Sequence, residues 1–308
     1  MWDEDAVRDD LRVSVVEHLG DPAVVLVIDE PGDLDKGTTT VGVKRPYTST
    51  AGRVENAQVA VYLVYATEAG HALIDRELYL PRSWTDDPDR RRAAGIPDQV
   101  GFATKPALAT TMICRALDAG VPAAWVAGDE VYGANPGLRA EREARGVGYV
   151  LAVACDYRVR TGGATHRVDA LLKRVPARAW QQVSCGKGAK GHRYYDWAFI
   201  RLDDNGPAPG DQAGQHWLMI RRNQRTGELA DYRCFMPCPV PLAVLVRVAG
   251  RRWRIEEAFQ TGTGLAGLDQ HQVRCGAPGI GGSRLPCWPT PSVVAAVTNA
   301  LASHHRRG

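Results

Sequence analysis

The sequence predicts an α/β fold with a mixed β-sheet flanked by helices. Three continuous apolar runs, residues 23–28, 123–127 and 148–154, predict strands that are buried on both faces. Two more strand-like runs, 58–65 and 72–80, flank a turn and predict an antiparallel pair. Helical spacing at 105–119 and 136–145 separates the later strands. This succession of strands and helices is typical of α/β proteins.

The remaining segments complete the predicted organisation. Residues 5–19 have the pattern of an amphipathic helix, 81–101 are a polar loop, and helical periodicity returns at 242–260. A β-rich insertion is predicted from three short alternating runs at 194–200, 216–221 and 230–235. We therefore expect four parts: a first part of the core at 1–155, the β-rich insertion at 156–239, a return to the core with its last helix at 240–274, and an anomalous or disordered tail at 275–308.

Composition limits the classes of protein to which the chain can belong. With 308 residues and 44% apolar content, the chain is long and apolar enough to bury a core. No apolar run approaches the ~20 residues of a membrane helix, and the acidic residues 3–5 do not resemble a secretory signal. The seven cysteines form no C-x-x-C pair, which favours free thiols in a reducing compartment. We expect a cytoplasmic protein without a membrane partner. The net charge of +3 does not by itself indicate a nucleic-acid partner.

Acidic residues follow two of the apolar strands. Asp29 and Asp129 each stand at the carboxyl end of such a strand, where open α/β sheets gather ligands, so the two could share one cation. The alternative for either residue is that it only caps the following turn. Glu256 lies in the late helical segment four residues after Arg252, and its alternative is a solvated face with an intrahelical ion pair. Three carboxylates together suit Mg²⁺ or Mn²⁺, and two such ions can catalyse phosphodiester chemistry.

Several blocks of the chain carry a more specific pattern. The chain resembles the DDE transposases of bacterial insertion sequences, particularly a group common in actinobacteria, from about residue 21 to residue 274. The resemblance rests on the blocks VIDEPGDLDKGTTTVGVKRPYTSTAGRVENAQVAVYLVYA, RELYLPRSWTDD, GIPDQVGFATKP, WVAGDEVYG and RRWRIEEAFQTGTGLAGLDQHQVR. It implies an RNase H-like core with a β-rich insertion before the last catalytic helix. It also implies that Asp29, Asp129 and Glu256 are the metal-binding catalytic triad.

The resemblance also implies an activity and its partners. The expected reaction is metal-dependent hydrolysis of phosphodiesters at transposon ends, followed by strand transfer to target DNA, with two Mg²⁺ or Mn²⁺ ions. The expected partners are DNA and a second copy of the chain, as a homodimer in a synaptic complex. The related transposases carry Tyr-x2-Arg-x3-Glu-x6-Lys around the third acid. Arg252 and Glu256 fill two of these places, while Ala249 and Thr263 replace the tyrosine and the lysine, and Pro31 replaces a usual threonine.

Basic residues outside the triad are candidate contacts to DNA. Arg252 is expected to position or neutralise phosphate. Lys187 and Lys190 lie in a glycine-rich predicted hairpin tip, and Lys44 and Arg45 lie in a stretch rich in glycine and threonine after Asp29. A solvated hairpin and a solvated loop are equally good interpretations of these two stretches.

A glycine motif near the end of the chain offers a competing function. Residues 262–267 match the G-x-G-x-x-G template, which would make the protein a nucleotide-cofactor enzyme. The motif follows a predicted helix instead of a strand, so we expect its glycines to end that helix and expect no nucleotide cofactor.

The second functional alternative is an inactive, truncated transposase remnant that only binds DNA or interferes with intact transposase. Relatives begin with an additional helical region, whereas about two dozen residues precede the first catalytic strand here. Residues 275–291 are rich in glycine and proline where relatives have an apolar helix. An alternative reading frame of 278–292 can encode WHRWLAVALLAHAF, which has the expected helical pattern. We hypothesise that compensating frameshifts, or sequencing errors, altered this segment.

Overall fold

The computed structural model describes residues 4–34, 40–43, 47–48, 53–54, 56–188, 191–203 and 214–266. The helices are α1 (Glu4–Leu19), α2 (Arg82–Thr85), α3 (Pro88–Ala93), α4 (Lys105–Asp118), α5 (Glu130–Gly133), α6 (Pro136–Ala144), α7 (Val168–Leu172), α8 (Leu242–Arg251) and α9 (Trp253–Ala266). The strands are β1 (Val24–Asp29), β2 (Gly32–Leu34), β3 (Tyr47–Thr48), β4 (Arg53–Val54), β5 (Ala57–Ala66), β6 (His71–Leu78), β7 (Ala123–Gly128), β8 (Gly148–Val153), β9 (Arg158–Thr161), β10 (Ala164–Arg167), β11 (Gln181–Gly188), β12 (Gly191–Arg201), β13 (Gln215–Arg222) and β14 (Leu229–Met236).

The chain divides into two compact units. The first comprises residues 1–21, 29–121 and 255–308, and the second comprises residues 22–28 and 122–254.

The second unit contains a mixed sheet with the strand order β11-β12-β13-β14-β8-β7-β1. Strands β1, β7 and β8 are parallel, with Val27 opposite Ala127 and Ala127 opposite Val150. The other strands join antiparallel, beginning with β14 on the free side of β8. Helix α8 lies against β7, β8 and β11. These features confirm the predicted α/β, RNase H-like class with a mixed sheet flanked by helices.

The parallel strands form because their sequences are apolar on both faces. Residues 24–28 of β1 are all buried, at 2% exposure or less, and β7 and β8 are buried along most of their length. Helix α8 adds the buried side chains of Leu245, Val246 and Val248 to the second unit. Burying an aliphatic side chain of this size contributes roughly 1.5–3 kcal/mol relative to exposure.

The predicted β-rich stretch extends the sheet of the second unit. Its three predicted runs correspond to β12, β13 and β14, and β14 pairs with β8 from Asp231 opposite Val153 to Phe235 opposite Tyr149. A separate apolar cluster joins this stretch to α7 and contains Val153, Val159, Val168, Leu171, Leu202, Leu218 and Ile220. The division of the chain at residues 155 and 239 remains a prediction.

In the first unit, antiparallel pairing surrounds β5. Strand β6 pairs along β5 and the short β2 pairs with it through Gly32 opposite Val59, while α1 contacts β6 and α4 contacts both β5 and β6. The carboxylate of Asp75 on β6 is fully buried and accepts hydrogen bonds from Arg115 of α4 at 2.7 Å and from Arg12 of α1 at 3.4 Å. This ion network ties both helices to the strand that they cover.

The segment 81–101 differs from the prediction of a polar loop, because it contains α2 and α3. Asp87 caps α3 by accepting a hydrogen bond from the backbone of Arg90, and Pro88 occupies the first turn. Trp84 of α2 is 2% exposed and its indole N–H donates to the carbonyl of Val43 at 2.9 Å. The segment therefore folds around an apolar anchor that its polar composition conceals.

The late helical segment also differs from its prediction. The expected single run at 242–260 is two helices, α8 and α9, and Arg252 is the turn residue between them. Helix α9 continues to Ala266, so Gly262 and Gly264 lie inside it and do not end it. The predicted tail, residues 275–308, lies outside the described residues.

Candidate active site

Asp29 is the last residue of β1. It is half-buried, and its Oδ1 accepts a hydrogen bond from the backbone N–H of Glu30 at 2.8 Å. This bond restrains the carboxylate at the point where the chain leaves the sheet. Four buried residues, 25–28, precede it and fix the position of its backbone.

Asp129 follows β7 directly and caps the short helix α5. Its Oδ1 accepts a hydrogen bond from the backbone N–H of Val131 at 2.9 Å, and its carbonyl accepts from Gly133 at 2.9 Å. The turn of α5 lies so close to β8 that a Cβ on Gly133 would meet the carbonyl oxygen of Ala152 at 1.8 Å. Close packing of α5 on β8 thus fixes the position of the Asp129 backbone. Asp129 therefore caps the turn after β7, as the alternative interpretation expected, and its role as a metal ligand stays a prediction.

The register of β1 and β7 explains why these two acids are neighbours. Because Val27 lies opposite Ala127 in a parallel pair, the chain positions two residues later are Asp29 and Asp129. One carboxylate oxygen from each of Asp29, Glu30 and Asp129 lies within 4.8 Å of the other two. Oxygen donors at this spacing suit a hard divalent cation such as Mg²⁺ or Mn²⁺. The residues present therefore fit the metal that the sequence predicts.

Glu30 is the member of this group that the sequence analysis missed. Alternation along a strand places successive side chains on opposite faces, so an acid next to Asp29 would be expected to point away from it. The strand ends at Asp29, and the alternation no longer applies to Glu30. The adjacent pair Asp29-Glu30 was the only available signal.

A lysine lies next to the acidic group. The Nζ of Lys105, the first residue of α4, is 3.1 Å from the Oε1 of Glu30. The Glu30 side chain is 7% exposed and the Lys105 side chain 28% exposed. The same ammonium lies 5.8 Å from the centre of the Tyr79 ring, within the range of a cation–π contact. The ion pair between Lys105 and Glu30 joins positions that are 75 residues apart in the chain.

Glu256 occupies the first turn of α9 and is half-buried. Three residues later, Phe259 packs edge-to-face on Tyr62 of β5, with ring centres 5.2 Å apart, which attaches this helix to the first unit. Among the residues that the structure describes, the carboxylates grouped within 4.8 Å do not include Glu256. The role of Glu256 as third ligand therefore stays a prediction.

The described residues include only some of the predicted DNA contacts. Arg252 is half-buried at the junction of α8 and α9, so it and Glu256 do not share one uninterrupted helix as predicted. Lys187 belongs to β11, but its side chain is not among those described. Lys44, Arg45 and Lys190 lie outside the described residues. These assignments remain predictions.

The glycine motif is part of a helix. Gly262 and Gly264 belong to α9, which follows α8 after one residue, and Gly267 lies beyond the described residues. A dinucleotide-binding turn follows a strand and opens a helix, so this motif does not have the required context.

Another buried acid, Asp231, lies on β14 of the second unit. Asp231 is 7% exposed, and its Oδ1 has no hydrogen-bond partner in the described part of the chain. Burial, together with the negative charges of Glu130 and Asp169, raises the pKa of this carboxyl group to about 6. Asp231 is therefore protonated more readily than an ordinary aspartic acid.

Comparison with known proteins finds a family model and a named relative that this chain resembles. The family model described as DDE superfamily endonuclease matches residues 1–186, a region that contains Asp29, Asp129 and Lys105 and ends before α9. A protein of Microchaete diplosiphon, named as the probable transposase for insertion sequence element IS701, is 31% identical over 133 residues. The match covers 43% of this chain and 32% of that relative, so the chain spans about a third of the relative's length.

None of the described helices has the length and apolarity needed to cross a membrane. The match of the endonuclease model to more than half of the chain, together with the paired aspartates in its RNase H-like sheet, places the chain in the family of DDE superfamily endonucleases.

Proposed function

We propose that the protein is a transposase that cleaves DNA at the ends of an insertion sequence and joins the freed 3′-hydroxyl to target DNA. The observation that carries this proposal is the meeting of Asp29 and Asp129 at the ends of neighbouring parallel strands, in a chain of the DDE endonuclease family. The name of the M. diplosiphon relative supports the choice of transposition over other endonuclease reactions.

The acidic group provides the ligands for the reaction. Asp29 and Asp129 would hold divalent cations through carboxylates whose orientation is fixed by the backbone N–H groups of Glu30 and Val131. We assign the third ligand position to Glu256, as the family resemblance implies. Two Mg²⁺ or Mn²⁺ ions bound there would polarise the scissile phosphodiester, lower the pKa of an attacking water and stabilise the leaving 3′ oxygen.

The remaining residues act on the DNA. Arg252, beside the first turn of α9, would offset the negative charge of a phosphate next to the third acid. Lys187, Lys190, Lys44 and Arg45 would contact the DNA backbone without reading sequence. In the transposition reaction two copies of the chain would hold two transposon ends in one synaptic complex.

The test is metal-dependent nicking of supercoiled plasmid DNA by the full chain. Wild-type protein should nick the plasmid with Mg²⁺ or Mn²⁺ and not with EDTA, and Asp29→Asn, Asp129→Asn and Glu256→Gln should each lose the activity. The matched control is Asp98→Asn, because Asp98 is a fully exposed aspartate far along the chain from the acidic group. Nicking that persists in Asp29→Asn and Asp129→Asn would show that these residues are not the catalytic ligands.

A second variant tests metal ligation directly. Asp129→Cys replaces an oxygen ligand with a sulfur ligand, which Mg²⁺ binds poorly and the softer Mn²⁺ tolerates better. The variant should be inactive with Mg²⁺ and regain activity with Mn²⁺. Wild-type protein that binds plasmid DNA but nicks it with neither metal would instead indicate the inactive remnant.

A further inference from the structure

Lys105 is held in a defined position next to the acidic group. Thr104 caps α4 by accepting a hydrogen bond from the backbone N–H of Ala107 at 3.3 Å, which fixes the backbone of Lys105 at the start of the helix. The side chain then reaches Glu30, with Nζ and Oε1 3.1 Å apart, and passes over the ring of Tyr79. Lys105 lies within the block GIPDQVGFATKP, to which the proposed reaction assigns no role.

The charges of this group require such a partner. Three carboxylates with oxygens within 4.8 Å of one another repel each other strongly, especially where Glu30 is 7% exposed. The ammonium group of Lys105 offsets one of these negative charges. It also competes with any divalent cation for the Glu30 carboxylate, because an oxygen that accepts a hydrogen bond from the ammonium group binds a metal ion more weakly.

We propose that Lys105 is a positioning residue that keeps Glu30 from ligating the metal. The ion pair retains Glu30 as an outer neighbour of the site, so that Asp29 and Asp129 are the ligands from this edge of the sheet. It also lowers the affinity of the site for divalent cations, which keeps the ions exchangeable while DNA enters and leaves. This inference rests on the proposed metal-dependent function.

The experiment measures Mn²⁺ binding to the full chain without DNA, at fixed pH and ionic strength, from the electron paramagnetic resonance signal of free Mn²⁺. Lys105→Met keeps the length of the side chain and removes its charge. We expect this variant to bind Mn²⁺ at least tenfold more tightly than wild type, a change of about 1.4 kcal/mol. Lys105→Arg retains the cation and should bind within about threefold of wild type.

A double-mutant comparison tests whether Lys105 acts through Glu30. If it does, Lys105→Met should tighten Mn²⁺ binding at least threefold less in a Glu30→Gln background than in wild type. A purely structural lysine would give unchanged or weaker binding when it is replaced. Circular dichroism and thermal unfolding establish that each variant is folded, and Lys105→Gln serves in place of Lys105→Met if the latter does not fold.

The Asp129→Asn variant separates this inference from the proposed function. If Mn²⁺ binding is lost in Asp129→Asn but is unchanged or weaker in Lys105→Met, the metal site stands and the role of Lys105 is wrong. If Asp129→Asn leaves Mn²⁺ binding unchanged, the ions bind elsewhere and both proposals fail. Loss in Asp129→Asn together with tighter binding in Lys105→Met supports both.

Discussion

Replacing Gly133 with alanine should displace Asp129. A Cβ at this position would lie 1.8 Å from the carbonyl oxygen of Ala152 and 3.3 Å from the Cβ of Leu151. To reach an ordinary van der Waals distance of about 3.4 Å, α5 must move away from β8 by about 1.6 Å. The backbone N–H of Gly133 donates to the carbonyl of Asp129 at 2.9 Å, so this movement is transmitted to the acid.

The magnitude of both effects of Gly133→Ala follows from this distance. Overpacking of this kind costs about 1–3 kcal/mol of stability, which lowers the melting temperature by roughly 1.5–5 °C in a protein of this size. Misplacement of a catalytic group by about 1 Å costs about 100-fold in rate, so metal-dependent nicking should fall at least that far. The assays are thermal unfolding and plasmid nicking, with nicking measured well below the melting temperature of the variant.

Gly137→Ala is the matched control for this prediction. Gly137 lies in α6 of the same unit, and its added Cβ would approach only the side-chain oxygen of Asn135, at 3.4 Å. Alanine is favoured over glycine in a helix by about 0.5–1 kcal/mol, so this variant should be as stable as wild type or more so and should nick normally. Wild-type stability and wild-type nicking in Gly133→Ala would refute the reasoning.

Two predictions concern buried carboxylates that do not belong to the acidic group of Asp29, Glu30 and Asp129. Because burial raises the pKa of Asp231 to about 6, the folded protein binds a proton that the unfolded chain, with a pKa near 3.8, has already lost. The contribution of Asp231 to stability therefore falls as pH rises from about 4 to about 6, by at most about 3 kcal/mol, and stays constant above that. Asp231→Asn should remove this loss, so its stability advantage in urea unfolding should grow from pH 4 to pH 6. Asp75→Ala should lower the free energy of unfolding by about 3–5 kcal/mol, because it leaves Arg12 and Arg115 buried without their shared carboxylate.

These two predictions have their own controls. An advantage of Asp231→Asn that is the same at pH 4 and pH 7.5 would show that ionisation of this carboxyl is not the cause. For Asp75→Ala the control is Asp98→Ala, which removes an exposed carboxylate 4.0 Å from Arg91 and should change stability little. Similar unfolding midpoints for the two variants would mean that the buried network does not stabilise the first unit.

The sequence predicted those parts of the fold that depend on local pattern. Continuous apolar runs correctly indicated β1, β7 and β8, because strands buried on both faces have no polar alternation. The position of Asp29 and Asp129 at the ends of such strands led us to expect that they could share one cation, and one carboxylate oxygen of each lies within 4.8 Å of the other. These strands could be predicted without knowledge of contacts between distant parts of the chain.

Other features depend on contacts that the sequence does not encode locally. The anchoring of α2 by Trp84 requires the carbonyl of Val43, and the pairing of Lys105 with Glu30 joins residues 75 positions apart. No proline marks the break between α8 and α9 at Arg252. The nearby Gly250 does not mark it either, because α8 continues through this residue. For Glu256 the family resemblance predicts a ligand, and the acid nevertheless stands outside the group of carboxylates that the described structure brings together.

The most direct test of the central claim is a crystal structure of the protein soaked with Mn²⁺, with the ion located by its anomalous scattering. The account predicts an anomalous peak between the carboxylates of Asp29 and Asp129, about 2.0–2.3 Å from an oxygen of each. It also predicts that Glu30 remains paired with Lys105 and is not bound to the ion. Anomalous density that contacts neither aspartate, or no density between them at saturating Mn²⁺, would contradict the account.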